Sequence, residues 1–337
     1  MTPRPYPNRA LLDLGAQYMQ FHNIDQQAAC LTDYDQKYQQ ISRGKYRGQF
    51  RTVLLDDEVG LYFETFNQTL DQWGATPPDR YGFIFFMDPT NFGHLGGNEF
   101  CGEDILFLPP GHSFDFRAPP QTSFCVVSID HFAFELVLQG CFEAEKKMAK
   151  AYGETSVIRD QDCLKLLRQI AIFLVRRIEQ QRSEGSAGGM LSGAKRSLCE
   201  LLGGLVVNHH AASTPERTDV AQVNEALARR IRDFIRDRRG IGLVPSQLAQ
   251  EFAISRRHLD QVFHTWLGNS PAEYIQIVKL NEFRSALLIS ENRDRTIGDI
   301  AADFEIWHLS RLAQIFRRHF GELPSDSRAD RRNIAES

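Results

Sequence analysis

The stretch Leu248-Ala249-Gln-Glu-Phe-Ala253-Ile254-Ser255, followed by Arg256-Arg-His-Leu-Asp-Gln-Val-Phe-His-Thr-Trp-Leu267, has a counterpart fifty-two residues later. There the chain reads Ile300-Ala301-Ala-Asp-Phe-Glu305-Ile306-Trp307, then His308-Leu-Ser-Arg-Leu-Ala-Gln-Ile-Phe-Arg-Arg-His319. Each copy closes with a glycine and, three residues on, a proline: Gly268-Asn-Ser-Pro271 and Gly321-Glu-Leu-Pro324. A period of this length marks a repeated supersecondary unit. In a helix-turn-helix, the small residue of the first helix (Ala249, Ala301) lets the second helix cross close by. The apolar residue of the turn (Ile254, Ile306) fills the space between the two. Leu259 with Phe263, and Leu312 with Phe316, sit four apart and anchor the inner face of each second helix. The outer faces, rich in Arg, Gln and His, are left for base edges in a major groove.

Working outward, the segment from Ala226 to Arg332 carries 18 Lys+Arg against 14 Asp+Glu, and the remainder carries 21 against 29. A mildly basic carboxy-terminal third behind an acidic portion fits a polyanion-binding module joined to something else. With 337 residues, 42% hydrophobic and 24% charged, two domains are expected and wholesale disorder is excluded. No run approaches the ~20 apolar residues of a membrane span, so no membrane association is expected, and the first residues lack the apolar core of a signal peptide. Six cysteines (Cys30, Cys101, Cys125, Cys141, Cys163, Cys199) form no CxxC pair. That argues against a disulfide scaffold or zinc ribbon and suits a reducing cytoplasm.

Residues 1–14 read as a loose tail. From Phe21 to Asp130 the texture is β: Thr52–Leu55, Gly60–Phe66, Tyr81–Met87, Asp104–Leu108 and Ser123–Ile129 are short apolar runs. Clusters such as Ala75-Thr-Pro-Pro-Asp79 and Pro109-Pro-Gly-His112 separate them. A sandwich or small barrel is expected. After Phe132, Leu164, Leu167, Ala171, Leu174 and Ile178 fall at helical spacing, Arg182–Gly189 breaks it, and a second helix runs from Leu191 to Val207. These helices could pack on the β domain or on a second subunit. The expected organisation is a β domain over 15–135, a helical linker or dimerisation region over 136–210, an interdomain linker over 211–224, and a helix-turn-helix domain over 225–332.

From Ala226 to Arg328 the chain resembles the DNA-binding domain of AraC/XylS-type transcription regulators. Ser270-Pro-Ala-Glu-Tyr-Ile-Gln-Ile-Val-Lys-Leu-Asn-Glu-Phe-Arg-Ser-Ala-Leu-Leu288 resembles that family's helix between two helix-turn-helix units. Trp307-His-Leu-Ser-Arg311 and Phe320-Gly-Glu-Leu-Pro-Ser325 resemble the branch that includes regulators of ethanolamine use. The resemblance implies an α+β chain: a cupin-like β-barrel sensor, a helical linker, and an all-α domain with two helix-turn-helix units. It implies a cytoplasmic, ligand-responsive activator with promoter DNA, RNA polymerase, a small-molecule effector and a second copy as partners, and no resident cofactor. Where the family has glycine in the second turn this chain has Glu305, and where it has phenylalanine, Ile306. A non-glycine residue at positive φ costs about 1–2 kcal/mol, so a strained or altered second turn is expected.

The outer face of the first recognition helix carries Arg256, Arg257, Asp260, Gln261 and His264. Carrying over the family's base-reading positions selects Arg257, Asp260 and Gln261. Arg suits guanine and Gln adenine; Asp260 either accepts from cytosine or pairs with a neighbouring Arg. On the second helix the positions fall on Leu309, Ser310, Ala313 and Gln314, with Arg311, Arg317 and Arg318 as phosphate candidates. Arg284 in the connecting helix is expected on its inner face.

In the sensor, Ser42-Arg43-Gly-Lys45-Tyr46-Arg47-Gly48 matches a Gly-x-aromatic-x-Gly segment of the resembled regulators and the RxxxR pattern of cyclic-di-GMP receptors. Two arginines four apart can clamp an anion and stack on a base, which makes Arg43, Lys45, Tyr46 and Arg47 candidate effector ligands. Tyr62, Phe63, Phe66, Phe83, Phe85 and Phe86 either line an apolar pocket or form core. A cupin-type metal enzyme is the alternative from another class, but His94, His112 and His131 are isolated and no HxH pair exists. A third alternative is a ligand-binding regulator that no longer engages DNA.

Overall fold

The structure, a computed structural model, describes residues 17–31, 34–95, 98–141, 155–184, 188–212 and 220–334. The amino-terminal portion begins with β1 (Gln17–Phe21), α1 (Ile24–Ala28), β2 (Asp35–Gln40), β3 (Gly48–Leu54), β4 (Val59–Phe66) and β5 (Leu70–Ala75). It continues through β6 (Arg80–Phe86), β7 (Phe92–Leu95), β8 (Asn98–Cys101), β9 (Ile105–Leu108), β10 (Ser113–Ala118) and β11 (Thr122–Asp130). Helix α2 (His131–Cys141), strand β12 (Ser156–Ile158) and helices α3 (Gln161–Glu184) and α4 (Gly188–Ala212) follow. The rest is helical: α5 (Val220–Asp237), α6 (Pro245–Glu251), α7 (Arg256–Leu267), α8 (Pro271–Leu288), α9 (Ile297–Ala302), α10 (Leu309–Phe320) and α11 (Pro324–Ile334). The expected tail, and residues 213–219 of the expected interdomain linker, lie outside the described residues.

The strands form two antiparallel sheets, β1-β3-β4-β11-β6-β9-β12 and β2-β5-β10-β7-β8. Among the described residues neither sheet closes on itself, so of the expected sandwich or small barrel the chain takes the two-layer, sandwich form. In the larger sheet β11 pairs on both sides, Val127 opposite Leu61 of β4 and Phe83 of β6. Alternation along each strand decides which face a side chain joins. Leu61, Phe83, Phe85 and Val127 turn outward and pack under α2, α3 and α4 with Phe134, Leu167, Leu174 and Leu202. Phe50, Phe66, Phe86 and Phe124 turn inward and meet Leu70 and Phe116 of the second sheet. The aromatic set read as one candidate pocket is therefore divided: Phe83 and Phe85 belong to the helix-covered face, Phe66 and Phe86 to the interior between the sheets.

One polar cluster stands inside the sandwich. Glu64, 1% exposed, accepts from the Tyr38 hydroxyl at 2.9 Å and from Gln27 Nε2 at 3.2 Å, while Tyr46 donates to Gln27 Oε1 at 2.8 Å. Burial without an adjacent cation pushes the Glu64 carboxyl up to about 7.

The outward face of β2, β5 and β10 is covered by the helical domain. Asp71 of β5 takes a bidentate ion pair from Arg117 of β10 and a 2.6 Å hydrogen bond from Arg236 of α5. Tyr274 of α8 donates to the same carboxylate at 3.3 Å. Burial alone would raise Asp71, but the guanidinia of Arg117 and Arg236 override it and hold the carboxyl well below the usual range. Asn281 of α8 brackets the end of β2, accepting from Gln40 N and donating to Gln40 O, both at 2.9 Å. Arg284 is buried as its helix face requires, donating to His22 O at 3.3 Å and lying over the Phe320 ring.

Candidate nucleic-acid interface

Both helix-turn-helix units are built from equivalent bonds. In the first, Ala253 N donates to Gln250 O and Ile254 N to Ala249 O; in the second, Glu305 N donates to Ala302 O and Ile306 N to Ala301 O. Ala253 and Glu305 both take positive φ, 51° and 57°. The second turn thus keeps the geometry of the first, and the expected alteration does not occur. The strain at Glu305 is offset locally: its Oε2 accepts from Lys279 Nζ at 2.7 Å and from Gly242 N at 2.9 Å. Those two bonds hold its carboxyl below the usual range.

Local sequence explains where the recognition helices start and stop. Ser255 caps α7, its hydroxyl accepting from His258 N. Gly268 and Gly321 end α7 and α10 in the left-handed region, at φ 66° and 73°, a conformation glycine adopts at little steric cost. Ser270 and Glu273 then form a capping box that starts α8 at Pro271. Helix α8 is buried on nearly all sides: Tyr274, Ile275 and Val278 join the core of the first unit, and Leu280, Phe283 and Leu287 that of the second. One helix therefore carries both helix-turn-helix units.

On α7, Leu259, Val262, Phe263 and Leu267 face inward, and Arg256, Arg257, Gln261 and His264 are exposed. Asp260 is half-buried and pairs with Arg256 at 3.3 Å, one turn back, so of its two readings the pairing is the one present. His264 Nδ1 lies 2.8 Å from Asp260 O. On α10, Leu312, Phe316, His319 and Phe320 face inward, and Leu309, Ser310, Arg311, Gln314, Arg317 and Arg318 are exposed. The side chains of Arg257, Gln261, Ser310, Arg311, Gln314, Arg317 and Arg318 make no hydrogen bond or ion pair with the described residues. Unpaired donors on two outward helix faces can bind phosphate oxygens and base edges without first breaking protein contacts.

The effector candidates fare differently from one another. Arg43, Lys45 and Arg47 are exposed, with Arg43 at 4.0 Å from Glu273. Tyr46 is a core residue, 1% exposed and tied to Gln27, turned inward between two exposed neighbours in the loop that precedes β3. It cannot stack on a base from that position. The loop holding them docks on α10: Gly44 N donates to His319 O at 2.8 Å, and His319 Nε2 lies 3.1 Å from Gln40 O. Burial pushes the His319 imidazole down to about 4. His94 stands on β7, His112 in a turn and His131 at the start of α2. Gln40, Asn281, His319 and Glu305 were not singled out by sequence as contact residues between units; only Glu305, by departing from glycine, carried a signal.

Comparison with known proteins bears on the same segment. The family described as a helix-turn-helix domain matches residues 248–330. The XylDLEGF operon transcriptional activator 2 of Pseudomonas putida is 37% identical over 100 residues, 29% of this chain and 62% of that protein. The XylDLEGF operon transcriptional activator of the same organism is 35% identical over 98 residues, 29% of this chain and 30% of its own length. The chain therefore spans about a third of the length of that relative. Among solved structures, the AraC-like transcriptional activator CuxR aligns over 79% of this chain and 94% of its own, with 14% identity and a TM-score of 0.43.

Proposed function

We propose that the chain is a sequence-specific DNA-binding transcription regulator of the AraC/XylS type, an activator, a reading supported by the helix-turn-helix match over residues 248–330 and by the likeness to the XylDLEGF operon activators. The observation that carries this reading is the pair of outward helix faces, α7 and α10, each with unpaired Arg and Gln, mounted on the single rigid helix α8. Each reader enters one major groove, the two grooves lying one helical turn apart, about 34–36 Å. Arg257 and Gln261 read bases, Ser310 and Gln314 read fewer, and Arg311, Arg317 and Arg318 hold phosphates. Exposed Phe132 and Leu136 on α2, with Leu166 and Phe173 on α3, supply apolar surface for a homodimer.

The test is enrichment of random duplex DNA on the full-length chain, followed by titration of the selected sequence against a scrambled one. Preference of about 1000-fold or more at physiological salt is expected. Affinity indifferent to sequence would overturn the reading.

The effector belongs to the same proposal. Exposed Arg43, Lys45 and Arg47 would present positive charge to an anionic ligand such as cyclic-di-GMP. Their loop hangs on His319 through Gly44, so binding there would bear on the second reader. Calorimetric titration of the full chain with cyclic-di-GMP tests this; no heat and no thermal shift would sink it.

A further inference from the structure

The turn that holds Glu305 lies against a loop from the other helix-turn-helix unit. Arg239, Gly240 and Gly242, between α5 and α6, take positive φ of 53°, 71° and 66°, coiling the chain tightly. That loop is pressed on α8: a Cβ at Gly240 would stand 3.0 Å from Ile275 O. Arg239 bonds Glu282 of α8 at 2.7 Å and lies over the Phe304 ring at 4.7 Å. Ile241 packs into the apolar core of the second unit. Glu305 completes the joint, one oxygen accepting from both Gly242 N and Lys279 Nζ. A side chain from the second unit thus ties the entrance of the first unit to the helix that carries both.

We propose that Glu305, with the Arg239–Gly242 loop, is a positioning residue that fixes the orientation of α10 relative to α7, and so sets the spacing of the two DNA elements the protein accepts. The inference rests on the DNA-reading proposal above. Its physical basis is the placement of the bonds. The αL turn at Glu305 immediately precedes α10, so holding the 305 side chain holds the start of the second recognition helix. A reader free to rock would tolerate a shifted element; a clasped one would not, since one inserted base pair rotates the second element by about 35°.

The test compares Glu305→Gly, which keeps the positive φ without strain but removes the carboxylate, with Glu305→Gln, whose amide oxygen can still accept from Gly242. Both are made in the full chain. Affinity is measured for the selected operator and for the same operator with one base pair inserted between its two elements. Wild type and Glu305→Gln should discriminate by about tenfold or more, and Glu305→Gly by less than about threefold. A discrimination ratio in Glu305→Gly equal to wild type would overturn the proposal. A second arm needs no DNA: the distance between spin labels on non-natural residues at Gln261 and Gln314 should broaden in Glu305→Gly only. An unchanged distribution overturns the clasp. If the wild-type chain selects no sequence, the DNA reading falls while the distance arm still decides the clasp.

Discussion

Arg236, on the last turn of helix α5, donates a 2.6 Å hydrogen bond to the Asp71 carboxylate of strand β5. The carboxylate is fully buried and also held by Arg117 of its own sheet, so one charge belongs at once to the β-sheet half and to the helical half.

Asp71→Asn should show how much that shared charge matters. The substitution leaves Arg117 and Arg236 buried with a weaker partner, and breaking a buried pair costs about 3–5 kcal/mol. Urea unfolding should give a lower midpoint and a transition split between the two halves. An unchanged, single transition would show that the network contributes little to coupling.

Glu64 gives a pH dependence of known sign. Its carboxyl is raised in the folded chain to about 7 from an ordinary 4.5, so between those values the native state binds more protons than the unfolded one. Stability then falls as pH rises from 4.5 to 7 and levels off above, by up to about 3 kcal/mol. Glu64→Gln should lack this slope. Denaturant titrations at pH 5 and pH 8 check it; a variant that is no more stable relative to wild type at pH 8 than at pH 5 would contradict the assignment.

Ala253 is exposed and held at φ 51°. A left-handed alanine costs about 1–2 kcal/mol, part of which glycine's greater unfolded-state freedom cancels. Ala253→Gly should stabilise the chain by about 0.5–1 kcal/mol, seen as a higher thermal midpoint, with no loss of DNA binding because Ala253 is not among the proposed DNA-contact residues.

Arg257 and Arg317 should part company on DNA. Arg257→Ala should cost about 1–3 kcal/mol on the selected sequence and relax preference at one base pair. Arg317→Ala should weaken all sequences alike and lower the salt slope by about one. Reversed behaviour would reassign the two roles.

The repeat in the last hundred residues determined its own fold. Small, apolar and basic residues recur at a fixed offset, and local helix spacing, Ser caps and Gly-x-x-Pro endings act over a few residues, so they can be read without a partner surface. The apolar strands β4, β6, β9 and β11 were legible for the same reason. Strands β2 and β5 were not: Asp35-Gln-Lys-Tyr-Gln-Gln40 and Leu70-Asp-Gln-Trp-Gly-Ala75 look solvent-facing, yet Gln39, Gln40, Asp71 and Gln72 are buried. Their polar atoms are matched in part by Arg236, Tyr274, Asn281 and His319, which lie some two hundred residues away in the chain. A buried polar group is stable only when its partner is present, and long-range pairing leaves no local signature. The two helix-turn-helix units were therefore written in the sequence; the joint between them, and their attachment to the β domain, came only with tertiary packing.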